Sequence, residues 1–258
     1  MSGRLAITAF THRGLKRRAN EDCVRIGAWA ESGEMETPVH RLEALRTPLL
    51  CGVADGLGGH EGGALASGFV MARLAREVAR LDNADTLVAL LRQLANDVVG
   101  LGNAQGGKRP PGTTLAALLC QPGGMRALAV NVGDSRIYRL SHRGIEQLSS
   151  DDTAPASNAE HDEDGRTGQR GHVLSQAIGG GHAPQRLVPH IVALDLRVGE
   201  RYLMCTDGLT DVLGNSEINA AALRYHDDDP ALIAALSALA MERGGPDNIA
   251  LCLVRAEA

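Results

Sequence analysis

Apolar and polar positions along the chain predict two strands, a polar loop, one more strand, two helices, a run of short strands, and finally helices and a closing strand. Arg4 to Thr11 predicts the first strand, and Asp22 to Trp29 the second, with Cys23 and Arg25 alternating against Val24 and Ile26. Residues 30–48 show little periodicity and predict a loop. Leu49 to Ala54 is apolar throughout, the pattern of a strand covered on both faces. Glu61 to Leu81 predicts a helix, because Val70, Leu74, Val78 and Leu81 repeat at helical spacing while Arg73, Arg76, Glu77 and Arg80 fall elsewhere. A second helix, Asp85 to Val99, opens on an Asp-Thr cap signal and is expected to end at Gly100 and Gly102.

Strands return at Leu115 to Gln121, Ala127 to Val132, Arg136 to Leu140 and Ile145 to Leu148, and the short turns between them imply antiparallel hairpins. Ser149 to His172 contains no large apolar side chain, so a mobile surface flap is expected at about residues 149–172. Val173 to Ile178 predicts one or two helical turns. Strands follow at Leu187 to Leu194 and Arg201 to Cys205, helices at Ser216 to Tyr225 and Pro230 to Arg243, and a last strand at Ile249 to Val254. With no repeat and no linker, residues 1–258 are expected to form one domain, with strands in two groups and helices on their outer faces.

Hydrophobic residues make up 44% of the chain but aromatics only 2%, so the core must be built from Ala, Leu, Val and Ile. A net charge of −5 excludes a broad basic face for nucleic acid. Five cysteines without a Cys-x-x-Cys pair read as buried thiols in a reducing compartment. Met-Ser-Gly-Arg leads straight into a strand pattern without a signal-peptide layout, and no apolar run approaches the ~20 residues of a membrane span. A cytoplasmic monomer that neither inserts into membranes nor binds nucleic acid is expected.

The candidate chemistry lies where apolar strands stop. Asn20-Glu21-Asp22, Val53-Ala-Asp55-Gly56, Cys205-Thr-Asp207-Gly208 and Gly245-Pro-Asp247-Asn248 each place an acid beside Gly or Asn at a strand end, and Asp134 sits in a tight turn between two strands. Singly, each is more often a turn or cap carboxylate. Together, acids on one rim would repel one another by several kcal/mol without a counter-charge. Hard divalent cations with oxygen ligands, Mg²⁺ or Mn²⁺, are the natural partner, and no His or Cys cluster supports zinc. The dense basic cluster Arg13, Lys16, Arg17 and Arg18 lies beside the first acids, where an Arg fork grips a phosphate. Metals plus Arg suggest phosphoester hydrolysis by a metal-activated water. The turn after Asp55 lacks the Gly-Lys-Ser or Gly-Lys-Thr of a nucleotide loop, and His60 is as plausible a plain turn residue as a proton carrier.

In this order the motifs resemble those of the metal-dependent Ser/Thr protein phosphatases of the PPM type, the protein phosphatase 2C family, in a short bacterial form. Gly14 to Arg17 with Asn20 to Asp22, Val53 to His60, Gly112 to Thr114, Val132 to Arg136, Leu174 to Gly179, Cys205 to Asp211 and Gly245 to Asn248 carry the likeness across nearly the whole chain. The resemblance implies an α+β fold, a four-layer α-β-β-α sandwich of two antiparallel sheets flanked by helices, with a metal pair at one end. It implies that Asp55 bridges two Mn²⁺ or Mg²⁺ ions, that the Gly56 carbonyl binds one, and that Asp207 and Asp247 complete the second. Glu21 and Asp22 would hold metal-bound waters, Arg17 would take the phosphate, and Asp134 would bind a third ion beside the flap.

Three departures stand out. Leu57 occupies the place of a family His that acts as general acid, Gln176 that of an Arg before Ala-Leu-Gly, and Asp151-Asp152-Thr153 that of an Asp-His pair. The expected activity is hydrolysis of phosphoserine and phosphothreonine on proteins, opposing a Ser/Thr kinase. Its rivals are a phosphatase dedicated to one regulatory partner and a silent phosphoprotein-binding module, which would need Arg17 but not every acid.

Overall fold

The computed structural model describes residues 3–58, 61–105, 110–123, 125–155, 172–181 and 183–257. Two six-stranded sheets face each other. One runs Gly144–Gln147, Arg136–Ser141, Arg201–Cys205, Ile249–Glu257, Arg4–His12, Val39–Ala44; the other runs His190–Asp195, Arg126–Val132, Leu115–Gln121, Leu49–Ala54, Cys23–Ile26, Trp29–Glu31. Every neighbouring pair in both is antiparallel.

The period of two in each strand builds the layers. Ala250, Cys252, Val254 and Ala256 enter the core between the sheets, with Leu5, Ile7, Cys51, Val53, Ala116 and Leu118 opposite or beside them. The alternate residues Ile249, Leu251 and Leu253 face outward, under helices α4 (Asn215–Arg224) and α5 (Asp229–Glu242). Leu50, Leu115, Ala117 and Leu119 likewise face helices α1 (Glu61–Glu77) and α2 (Ala84–Gln105) on the other side. The α-β-β-α sandwich is therefore the expected one. A core poor in aromatics brings backbones close: a Cβ on Gly52 would lie 2.5 Å from the Ala116 carbonyl oxygen. A short helix α3, Asp207–Thr210, follows the strand that ends at Cys205.

Four local expectations are corrected. The second strand breaks at Gly27, whose φ of +55° makes a tight hairpin joining Cys23–Ile26 to Trp29–Glu31. Within the expected loop, Val39–Ala44 forms an edge strand on Arg4–Ala9, where His40 Nδ1 meets Thr8 Oγ1 at 2.9 Å and Arg41 lies over the Trp29 ring. Helix α2 continues through Gly100 to Gln105, because docking of buried Val98 outweighs the ~1 kcal/mol a helical Gly costs. Residues 173–178 form no helix: His172–Leu174 pairs with Thr153–Pro155, and Ile178–Gly179 with Gly112–Thr113. A segment so short is ordered by partners, not by its own turn. The paired strands frame the expected flap, whose residues 156–171 lie outside the described ones, as does His60.

Candidate active site

Strand register gathers the acids at one end of the sandwich. Cys23 pairs with Ala54, so Asp22, one residue before, and Asp55, one residue after, sit side by side on one sheet edge. On the facing sheet Cys205 pairs with both Arg136 and Leu251, which brings Asp207, Asp247 and Asp134 to the same end.

Cross-sheet hydrogen bonds hold the rim. Thr206 Oγ1 accepts from the Ala250 amide and donates to Asp22 Oδ2, both at 2.9 Å, bridging the two sheets inside the protein. Asn248 Oδ1 accepts from the Glu21 amide at 2.9 Å, while its Nδ2 donates to the carbonyls of Arg13 and Ala19, seating the whole loop before Asp22. The Asp55 amide donates to Thr114 Oγ1 at 3.0 Å, and that hydroxyl meets Ser135 Oγ at 2.6 Å, next to Asp134. Small residues permit this closeness. A Cβ on Gly63, in the first turn of α1, would fall 2.0 Å from Glu21 Oε2, and one on Gly56 would lie 2.4 Å from the Gly63 carbonyl.

The electrostatics are one-sided. Burial, then repulsion from Asp207, pushes the Asp22 carboxyl well above its ordinary range. Asp55 is raised by burial and then by Asp22 and Asp134, and Asp207 by burial and then by Asp55 and Asp134. Asp134 is pushed up to about 6, chiefly by burial. Arg17 answers from the rim: its Nη2 donates to Asp247 Oδ2 at 2.5 Å, and that bond raises the guanidinium further.

The oxygen set fits a hard divalent cation. Asp22 Oδ1 and Asp134 Oδ1 are buried acceptors without a donor among the described residues; other carboxylates press on both, and Arg136 offsets them only in part at Asp134. Among those residues, however, no three His, Cys, Asp or Glu side chains are gathered closely enough to hold one ion. Asp247 leans to Arg17 instead.

All the expected site residues, Arg17, Glu21, Asp22, Asp55, Gly56, Asp134, Asp207 and Asp247, therefore belong to one rim. Thr206, Asn248, Thr114, Ser135 and Asp211, which lie within the recognised motifs but carried no expected role, join it; Asp211 is itself raised, by burial and then Asp247, and adds to the charge facing Asp134. Leu57 lies in the short strand Gly56–Leu57 and offers no proton. Two departures from the family pattern prove to be bonded to each other: Gln176 Nε2 donates to Asp152 Oδ2 at 2.7 Å. The same oxygen accepts from the Gly133 amide, and Asp152 Oδ1 meets His190 Nε2 at 2.8 Å, so the start of the flap is tied to the Asp134 turn.

The family model for protein phosphatase 2C matches residues 40–228. The serine/threonine protein phosphatase PstP of Mycobacterium tuberculosis is 32% identical over 95% of this chain, and this chain spans only 44% of that relative's length. Protein phosphatase PhpP of Streptococcus pneumoniae is 26% identical over 97% of both chains. The solved catalytic domain of PstP in complex with two manganese ions is 28% identical, covers 98% of this chain and 100% of its own, and superposes with a TM-score of 0.71. No described helix is long and apolar enough to cross a membrane. Fold, rim and relatives agree: the chain belongs to the protein phosphatase 2C family.

Proposed function

We propose that the protein is a Mn²⁺- or Mg²⁺-dependent phosphatase acting on phosphoserine and phosphothreonine in proteins, in the cytoplasm, as a monomer that opposes a Ser/Thr kinase, with residues 1–258 forming its catalytic domain. The observation that carries this is the group of aspartates at one end of the sandwich with one guanidinium beside it: Asp22, Asp55, Asp134 and Asp207 all raised by burial and mutual repulsion, and Arg17 on Asp247. The manganese pair of the PstP catalytic domain supports the same chemistry.

Asp55, the Gly56 carbonyl, Asp207 and Asp247 are the residues to hold two ions, Glu21 and Asp22 to hold water beside them, and Asp134 to hold a third. Bound divalent ions supply counter-charge and lower the pKa of bound water towards neutrality. The chain's own residues do the rest. Arg17 exchanges one Asp247 oxygen for two phosphate oxygens, placing phosphorus over the rim. Thr206 keeps Asp22 Oδ2 occupied, so that Oδ1 alone is presented to the site. The hollows of ≈ 420 and ≈ 470 Å³ elsewhere on the surface share no residue with the rim. An open charged rim suits a phosphorylated side chain carried on a protein.

The test is turnover of p-nitrophenyl phosphate and of phosphothreonine peptides with Mn²⁺ and with EDTA. Metal-dependent turnover of both is expected; phosphopeptide binding without turnover would support the silent binding module instead.

A further inference from the structure

Four of the chain's 26 Lys and Arg residues fall within positions 13–18, although the whole chain carries a net charge of −5. The structure sorts these four into two pairs. Arg13 and Arg17 are spoken for: Arg13 forms an ion pair with Glu34 and donates to the Arg17 carbonyl, and Arg17 binds Asp247. Lys16 and Arg18, on either side of Arg17, are exposed and have no hydrogen-bond or ion-pair partner among the described residues.

The loop that carries them is not loose. The Leu15 amide donates to the Gly245 carbonyl at 2.8 Å, and Gly14 sits at φ +77° with room for no Cβ, which would fall 2.1 Å from the Asp247 carbonyl oxygen. The Asn248 side chain seats both ends, through the carbonyls of Arg13 and Ala19. The backbone on either side of Arg17 is therefore tied down, and it carries two exposed cations that have no partner among the described residues.

We infer that Lys16 and Arg18 set substrate preference, selecting phosphorylated segments with Asp or Glu next to the phosphoresidue. An extended segment advances about 3.3 Å per residue, so acids one to three places from a phosphate held by Arg17 lie about 3–10 Å from it, within roughly one Debye length of the Arg17 site that Lys16 and Arg18 flank in the chain. Exposed ion pairs are individually weak, so this is a bias among substrates and not a requirement. The inference rests on the phosphatase function proposed above.

The test compares a phosphothreonine peptide flanked by Asp with its Asn-flanked counterpart, using the Mn²⁺-loaded wild type and the double variant Lys16→Glu, Arg18→Glu. The wild type should prefer the Asp peptide by about three- to tenfold in kcat/KM, from two exposed charge pairs. That preference should shrink as salt rises from roughly 0.05 to roughly 0.5 M. The variant should lose or reverse it, read as the ratio of kcat/KM for the two peptides, which carry the same phosphate so that any loss common to both cancels. Equal kcat/KM for the two peptides with wild type, or an unchanged preference in the variant, overturns the inference while p-nitrophenyl phosphate turnover leaves the phosphatase function standing. Absence of turnover on every substrate would overturn that function itself.

Discussion

Arg17 Nη2 and Asp247 Oδ2 lie 2.5 Å apart, joining two loops separated by 230 positions in the chain. The pair couples the proposed phosphate-binding group to a proposed metal-binding acid. Arg17 is more than half exposed, at 56%, whereas Asp247 is at 27%, so the Arg end is the one free to turn towards a ligand.

Arg17→Ala should therefore raise KM for phosphopeptides by about tenfold to a hundredfold, the worth of a charge-assisted bond. It should leave Mn²⁺ affinity unchanged or slightly improved, because Asp247 loses a competing partner. Steady-state kinetics with a parallel metal titration check this, and weakened metal binding at unaltered KM would contradict the role of Arg17.

Asp55→Asn and Asp207→Asn should each lower Mn²⁺-dependent turnover by more than about a hundredfold, the upper range for residues that merely support metal ligands. In EDTA the same substitutions should not lower the melting temperature and should raise it near neutral pH. Each removes a buried charge that Asp22, Asp134 or Asp247 repels. Calorimetry of the variants in EDTA checks the second half; a lower melting temperature there would mean that the acids stabilise the fold in their own right.

Stability should depend on pH with a sign opposite to that of most carboxylates. Because Asp22, Asp55 and Asp207 are raised in the native state, and Asp134 to about 6, the folded protein holds protons that the unfolded chain has already released. The contribution is present below the unfolded carboxylate pKa, about 4, and is lost as pH rises through the raised native values. In EDTA the protein should melt at a higher temperature near pH 5 than near pH 7.5, and saturating Mn²⁺ should restore stability at the higher pH. A melting temperature that climbs with pH in EDTA would contradict this.

Much of this was legible in the chain. Leu49–Ala54 read as a strand covered on both faces and Leu115–Gln121 as a strand, and both prove buried along nearly their whole length; the acids stood out because each follows or precedes such a run. What escaped depends on distant partners. Val39–Ala44 carries charges like a loop and becomes a strand only on Arg4–Ala9. Asn248 and Thr206 look like ordinary turn residues until the facing sheet brings Glu21 and Asp22 to them. No local pattern marks Asp152 and Gln176 as partners, since they are 24 positions apart and meet only at the root of the flap.

Asn248→Ala tests that hidden framework. It removes one acceptor and two donor contacts, leaving the Glu21 amide and two carbonyls without their partner, and should cost about 2–4 kcal/mol of stability. Misplacement of Glu21 should also raise the Mn²⁺ concentration needed for half-maximal turnover. Denaturant unfolding with a metal titration checks both, and an unaltered metal requirement would show that Asn248 serves the fold alone.

The most direct measurement is anomalous diffraction at the manganese edge from crystals grown with Mn²⁺. It should show ion density between Asp55, Asp207 and Asp247, with Asp247 drawn away from Arg17. Crystals in which Asp247 still held Arg17, with no manganese peak anywhere beside these aspartates, would contradict the assignment.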